Sequence, residues 1–550
     1  MHFLFLRRIL ATLVITGSTV SAYAVSCPVY QGRPSSPARE AYLKGDLDQA
    51  ATLYQEELQK SPDDAALTID LARVLLRQEK IKEAGDLVQS ALGKNPNSAP
   101  LLTELGFIQY RAGTPWLAAA SESAASKLDL CNAQTHLLHA NLLTLSSFYG
   151  SAAKELSIAH SLDPYDPVIA GRWLNSLPSS ERIKTIEASL ASPGGDNSDI
   201  GNLRAYLDHL KKEADQPHKA CRLVSDTSST EMPFAFLMEN GTHIRAFALD
   251  VKLNDHNARL QIDTGAGGIV ISRSVAERAG LKRASQSGLS GIGDRGVQAG
   301  YTAYADDIKI GSLEFHDCEV QVLDQRNVVD SDGLIGMDVF SNFLVTLDYP
   351  VRKLLLGPLP PRPDEVAPAK PTLQTTSSTD VSGDNATKDA SQNTASNAAP
   401  RGPRDRYVAP EMKTWTPVYR VNHMLMLPAS LNNSSVKLFI LDTGAFGTTI
   451  SPAVAREVTK VFADENTTVN GISGKVEKVY TANEITFKFA NLQQKVRGVV
   501  AFDTPGVSQS VGMDVAGFIG FSTLASTTMA IDYRDGLVHF RYDATRGYNF

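Results

Sequence analysis

Two hydrophobic rhythms divide the chain. Between about residues 29 and 230, apolar positions recur at helical spacing. In AREAYLKGDLDQAATLYQEELQKSPDD, for instance, Ala50, Ala51 and Tyr54 fall on one face. After about residue 232 the rhythm shortens to alternation: IRAFALDVKL, the turn-former NDHN, then ARLQIDTGAGG. The same order returns as HMLMLPASL, NNSS and VKLFILDTGAFG. Between the two alternating regions, residues 358–410 are rich in Pro, Ser, Thr, Ala and Asn and almost free of large apolar residues. That composition cannot build a core and predicts a disordered linker.

The helical half has a period. Pro62, Pro96, Leu130 and Pro164 follow one another at steps of 34 residues, Ala50 is in step with Ala84, and Gly45 with Glu79 and Gly113. A 34-residue unit of two short helices resembles the tetratricopeptide repeat, in which each pair stacks on the next to bury an apolar face. About four repeats fit between residues 35 and 168, within a repeat region of 29–170. The helical pattern continues through SERIKTIEASL and NLRAYLDHLKKEA, so residues 171–230 read as a helical cap or connector.

The alternating half is duplicated. GLIGMDVFSNFLVTLDYPVRKLLL aligns with GFIGFSTLASTTMAIDYRDGLVHF. Asp263 precedes Gly336 by 73 residues and Asp442 precedes Gly520 by 78, and each glycine precedes the Asp of an Asp-Tyr pair, Asp348 or Asp532, by 12. Agreement at several points in one order defines two copies of one small β domain, residues 232–357 and 412–550.

Each copy carries Asp-Thr-Gly at the end of an apolar strand. Gly265 and Gly444 permit a tight turn, and Thr264 and Thr443 each offer a hydroxyl to neighbouring backbone. Asp263 and Asp442 are thereby candidates for a pair of facing carboxylates, which cannot both ionise and so share one proton. Such a pair can deprotonate a water and protonate a carbonyl oxygen at once. DTGA at Asp263–Ala266 and Asp442–Ala445, with Leu334-Ile335-Gly336 and Phe518-Ile519-Gly520, resembles the retropepsin-like aspartic proteases of the bacterial aspartyl protease type. The resemblance implies two all-β, pepsin-type acid protease lobes behind an all-α solenoid, with one Asp from each lobe and the glycine segments of Gly336 and Gly520 packed beneath the catalytic loops. It further implies flaps, from Ser290 to Tyr304 and from Val469 to Tyr480, over an extended peptide or protein substrate. It implies neither metal nor cofactor. The residue after DTGA is Gly267 in one lobe and Phe446 in the other, which makes the cleft asymmetric. Pairing of the lobes within one chain and pairing between two copies in a homodimer both complete the dyad.

Composition narrows the rest. A chain that is 43% hydrophobic and 21% charged with net charge −7 carries no broad basic face, so nucleic acid is not an expected partner. Residues 1–24 read as a signal peptide: Arg7 and Arg8, an apolar run too short to span a bilayer, then Ala22 and Ala24. Export to the periplasm or the medium follows, with AVSC at Cys27 as a rival lipoprotein site that would supply a lipid anchor. The four cysteines form no CxxC and no disulfide framework, although a Cys131–Cys221 bridge is compatible with export. His243, His256, His423 and His539 are scattered, without ligand spacing, and Asp348 and Asp532 read as structural. Asp338 and Asp514 share the echo GMDV but do not occupy matching places. The reading is an exported aspartic endopeptidase whose helical repeats recruit substrate or a partner protein. Two rivals have the same residues: an inactive scaffold keeping the protease fold, and a protease assembled only when a partner docks.

Overall fold

The computed structural model describes residues 27–28, 35–191, 203–211, 221–239, 243–325, 331–363, 365, 404–543 and 545. The expected signal segment and residues 366–403 of the expected linker lie outside them.

Four helix pairs come first: Pro37–Lys44 with Leu47–Lys60, Ala65–Arg77 with Ile81–Lys94, Ala99–Arg111 with Pro115–Leu128, and Ala133–Leu145 with Tyr149–Leu162. The 34-residue period has a packing cause. Ala50, Ala84, Ala118 and Ala152 occupy the same place in the second helix of each pair, all buried, where a larger side chain would push the partner helix away. The turn between helices is left-handed at the same step, at Gly45, Glu79, Gly113 and Ser147, so the geometry persists where glycine is absent. Helices Pro167–Ser176, Ser179–Ala191 and 203–211 follow, and Ile186, Leu207 and Leu210 form a small cluster between the last two.

Two β lobes follow. The sheet of the first already includes Arg222–Leu223, paired with Phe315 and His316, ten residues before the start expected at 232. Two residues are too few to show alternation, which is why the sequence pattern misses them. Four antiparallel strands, Lys353–Pro358, Phe343–Asp348, Thr527–Asp532 and Leu537–Tyr542, run side by side in one sheet built from both lobes. At its centre Val345 faces Ile531 and Leu347 faces Met529. Beneath it Phe247 of the first lobe meets Phe521 of the second edge to face at 5.0 Å, within one continuous core.

The ends of the interlobe segment are anchored, which its composition does not announce. Asp535, wholly buried, receives Arg362 from before residues 366–403, and Tyr407 N–H (2.8 Å) from after them. Arg534 Nε donates to its other oxygen at 2.8 Å, and Arg404 pairs with Glu365 at 3.3 Å. The ends of the segment expected to be a disordered linker are thus structured, because side chains and backbone there are recruited to the buried Asp535.

The cysteines form Cys27–Cys131 and Cys221–Cys318, replacing the Cys131–Cys221 bridge, and the chain does have a disulfide framework among the described residues. Cys221–Cys318 ties the segment entering the first lobe to a core strand. A sulfur bound to Cys131 has no valence for a lipid thioether, so this pairing and an anchor at Cys27 exclude each other.

The repeats dock on the second lobe. Asp514 N–H donates to Arg111 O at 2.7 Å, Ser151 N–H and Oγ–H donate to Asp405 at 2.8 and 2.7 Å, and Tyr110, Trp116 and Leu145 pack with Val511, Met513 and Phe518.

Replacing Asp535 by Ala strands the buried Arg362 and releases both ends of the interlobe segment. Stability measured by denaturant unfolding is expected to fall by roughly 3 kcal/mol, as for a buried pair that loses one partner. A change under about 0.5 kcal/mol, the size of an ordinary surface effect, would show the hub to be dispensable.

Candidate active site

Asp263 ends the strand His256–Asp263, and Asp442 follows the strand Ser435–Leu441. Each strand is paired in parallel with a short segment from its own lobe: Gly336 stands beside Asp263, and Ile519 beside Leu441. A strand flanked on both sides by backbone cannot drift, so each carboxyl leaves the sheet at a fixed point.

The two loops grip one another. Thr264 N–H donates to Thr443 Oγ1 at 3.1 Å and Thr443 N–H to Thr264 Oγ1 at 3.0 Å. Each hydroxyl passes its own proton across to the other lobe, Thr264 to Leu441 O at 2.8 Å and Thr443 to Ile262 O at 3.3 Å. Both threonines are buried, so every one of these groups would be stranded without its counterpart.

The grip brings the two carboxyls together, each lying against the glycine of the other's loop. A Cβ on Gly265 would stand 2.8 Å from Asp442 Cγ, and one on Gly444 would strike the Asp263 carboxyl. These two glycines are the condition for the approach. Oδ1 of each Asp accepts two amides: Gly265 N–H (2.8 Å) and Ala266 N–H (3.0 Å) for Asp263, Gly444 N–H (2.9 Å) and Ala445 N–H (3.0 Å) for Asp442. Burial holds both carboxyls above the usual aspartate range, and for Asp263 the neighbouring Asp442 adds to the rise. The titration belongs to the pair, which keeps one proton after a solvent-exposed aspartate would have lost its own.

The remaining predicted residues lie against these loops. Gly336 N–H donates to Gly268 O at 2.8 Å, and Gly520 N–H to Thr448 Oγ1 at 3.1 Å. Side chains at either glycine would collide with the loop carbonyls of Ala266 or Gly447. The loops predicted as flaps meet across the lobe boundary. Ser473 N–H donates to Ile292 O at 3.0 Å, Arg295 N–H to Ser473 O at 2.8 Å, and Gly291 N–H to Ser473 Oγ at 3.1 Å. Ile472 at one tip and Ala266 beside the dyad pack on the same apolar cluster, formed by Val270, Leu289, Leu323 and Leu334.

A family model described as aspartyl protease matches residues 249–339 and again 427–522, and one described as tetratricopeptide repeat matches 41–110. The chain carries two aspartyl protease domains. Curated relatives include DNA damage-inducible protein 1 of Chaetomium globosum, 28% identical over 138 residues (23% of this chain, 30% of the relative). The protein of the same name from Neurospora crassa is 29% identical over 111 residues (20% and 24%). The chain thus spans less than a third of the length of either. Among solved structures, a thermophilic TPR protein from Thermus thermophilus is similar at 19% identity and TM-score 0.28, covering 32% of this chain and 95% of that one. A retropepsin-like aspartic protease from Rickettsia conorii is similar at 18% and 0.18, covering 24% and 94%.

Within the aspartyl protease domains, sequence reading overlooks two residues. His423, set aside as one of several scattered histidines, reaches from the second lobe to Gly265 O, with Nε2 at 3.1 Å. A Cβ on Gly267 would stand 2.7 Å from its Nδ1, which explains the glycine after DTGA in this lobe. Asp338 accepts Gly268 N–H at 3.0 Å from beneath the same loop. A histidine with no ligand spacing leaves no mark in the sequence. Asp338 leaves one, since it stands two residues past Gly336, where the second copy has Ser522. Phe446, at the place of Gly267, is half exposed. Asp348 and Asp532 cap strand-end turns through Val351 N–H (3.3 Å) and Asp535 N–H (3.0 Å), and burial raises the Asp532 carboxyl to about 6.

A carboxyl whose folded pKa is raised holds its proton more tightly when folded. Its favourable contribution is therefore complete below the unfolded value, about 3.9, and is lost as pH rises through the folded value. Asp263→Asn removes that loss. Denaturant unfolding is expected to show the variant more stable than wild type at pH 7 by about 1 kcal/mol or more, with the difference vanishing near pH 3. An equal difference at both pH values would mean that the pair does not oppose folding.

Proposed function

We propose that the chain is an aspartic endopeptidase acting through an Asp263–Asp442 dyad within one polypeptide. The observation that supports it is the pair of neighbouring carboxyls, Asp442 buried and Asp263 half-buried, each held by two loop amides. In the reaction, the ionised Asp takes a proton from a water held between the two. The water oxygen bonds to the scissile carbonyl carbon, and the protonated Asp gives its proton to the carbonyl oxygen. In the second step the C–N bond breaks, the nitrogen receives a proton from the dyad, and the diol hydroxyl returns one as the carboxylic acid forms. In this reading an extended peptide lies between the catalytic loops and the meeting loops at Ile292 and Ser473.

The helical repeats, in this reading, recruit a protein partner or present substrate. Their contact with Asp514 of the second lobe and Asp405 of the interlobe segment supports it, since a ligand on the repeats is thereby held on the same body as the cleft. Two disulfides support residence outside the cytosol, in an oxidising compartment.

Asp263→Asn and Asp442→Asn should each lower cleavage of an unfolded protein by at least about 100-fold, with circular dichroism unchanged. The wild-type pH profile should be bell-shaped and insensitive to chelators. Full activity in either variant would exclude the intrachain dyad.

A further inference from the structure

Each catalytic loop receives one side-chain donor from the opposite lobe, and both donors land on equivalent carbonyls. His423 of the second lobe reaches Gly265 O at 3.1 Å, and Gln261 Nε2 of the first lobe donates to Gly444 O at 2.9 Å. The peptide that carries Gly265 O is the one whose N–H, on Ala266, donates to Asp263 Oδ1; the peptide that carries Gly444 O donates from Ala445 to Asp442 Oδ1. A peptide whose carbonyl is hydrogen-bonded donates more strongly from its nitrogen. Each dyad carboxylate is thus stabilised through a single peptide by a residue of the other lobe.

The two donors differ in one respect. The amide of Gln261 is neutral at every pH. A carbonyl can only accept, so Nε2 of His423 bears its proton whether the ring is neutral or charged. What changes with pH is the charge. Asp338 and Arg420 face the ring, with opposite effects on it, and Tyr533 adjoins both of them. Burial dominates and holds the imidazole below its ordinary value, so it is neutral at pH 7 and charges only on acidification.

We propose that His423 and Gln261 are reciprocal positioning residues, each polarising from the opposite lobe the peptide that holds one dyad carboxylate, and that His423, once charged, makes Asp263 the preferred base of the pair. A cation behind the Gly265–Ala266 peptide favours the ionised form of Asp263 and leaves the shared proton on Asp442. It also resists the second protonation that would silence the dyad, so the working range extends further into acid. The effect on rate rests on the proteolytic reading, whereas the claim about titration does not.

The test uses the full chain labelled with carbon-13 at the aspartate carboxyls. Wild type, His423→Gln and His423→Leu are titrated by NMR from acid to neutral pH and assayed on an unfolded protein. His423→Gln supplies the donor found on the other lobe without a titrating ring. Its lower dyad step should move up by about half a pH unit, and the acidic limb of the rate profile should move with it. His423→Leu should lose kcat about fivefold, the worth of one hydrogen bond, and the Gln variant should recover most of that at the pH optimum. A dyad titration in His423→Gln that superimposes on wild type overturns the proposal, whether or not the Leu variant folds. A wild-type protein that cleaves nothing at any pH sinks the proteolytic reading instead, and the titration still decides the relay.

Discussion

The reciprocal bonds between Thr264 and Thr443 are the constraint on which the site depends. A lone Asp-Thr-Gly turn leaves a buried amide and a buried hydroxyl unmatched. Two such turns related by approximate symmetry satisfy each other with four direct bonds. Satisfying the threonines brings the neighbouring aspartates together, although two ionised carboxylates so placed would repel. The repulsion is offset by the six-stranded sheet and the core around Phe247 and Phe521, which hold the lobes in contact over a far larger area.

The symmetry is incomplete, and its breaks concentrate at the cleft. Gly267 is matched by Phe446, Asp338 by Ser522, and the donor His423 by Gln261 acting in the opposite sense. A duplicated chain can vary one copy while the other keeps the geometry. The two aspartates can therefore be equal in position and unequal in chemistry, as a reaction needing one base and one acid requires.

Much of this was legible in residue order. The 34-residue step gave the helix pairs because packing admits only a small residue at Ala50 and its equivalents. The doubled Asp-Thr-Gly and its downstream glycines gave the site because backbone approach admits no Cβ there. The rest was hidden for physical reasons. His423 acts through one hydrogen bond across a lobe boundary, and a single long-range contact has no periodicity. Disulfide partners depend on distances that the spacing of four cysteines does not encode. The anchored ends of the interlobe segment rest on Asp535, which resembles any turn aspartate until Arg362 and Tyr407 are brought to it.

Because the lobes share a sheet, they cannot swing apart like a hinged jaw. Admission to the dyad has to come from parting the loops at Ile292 and Ser473, whose backbone bonds together are worth a few kcal/mol. Under the proteolytic proposal, a substrate would have to thread between these loops, which favours a frayed terminus or a loose surface stretch over a tightly folded protein.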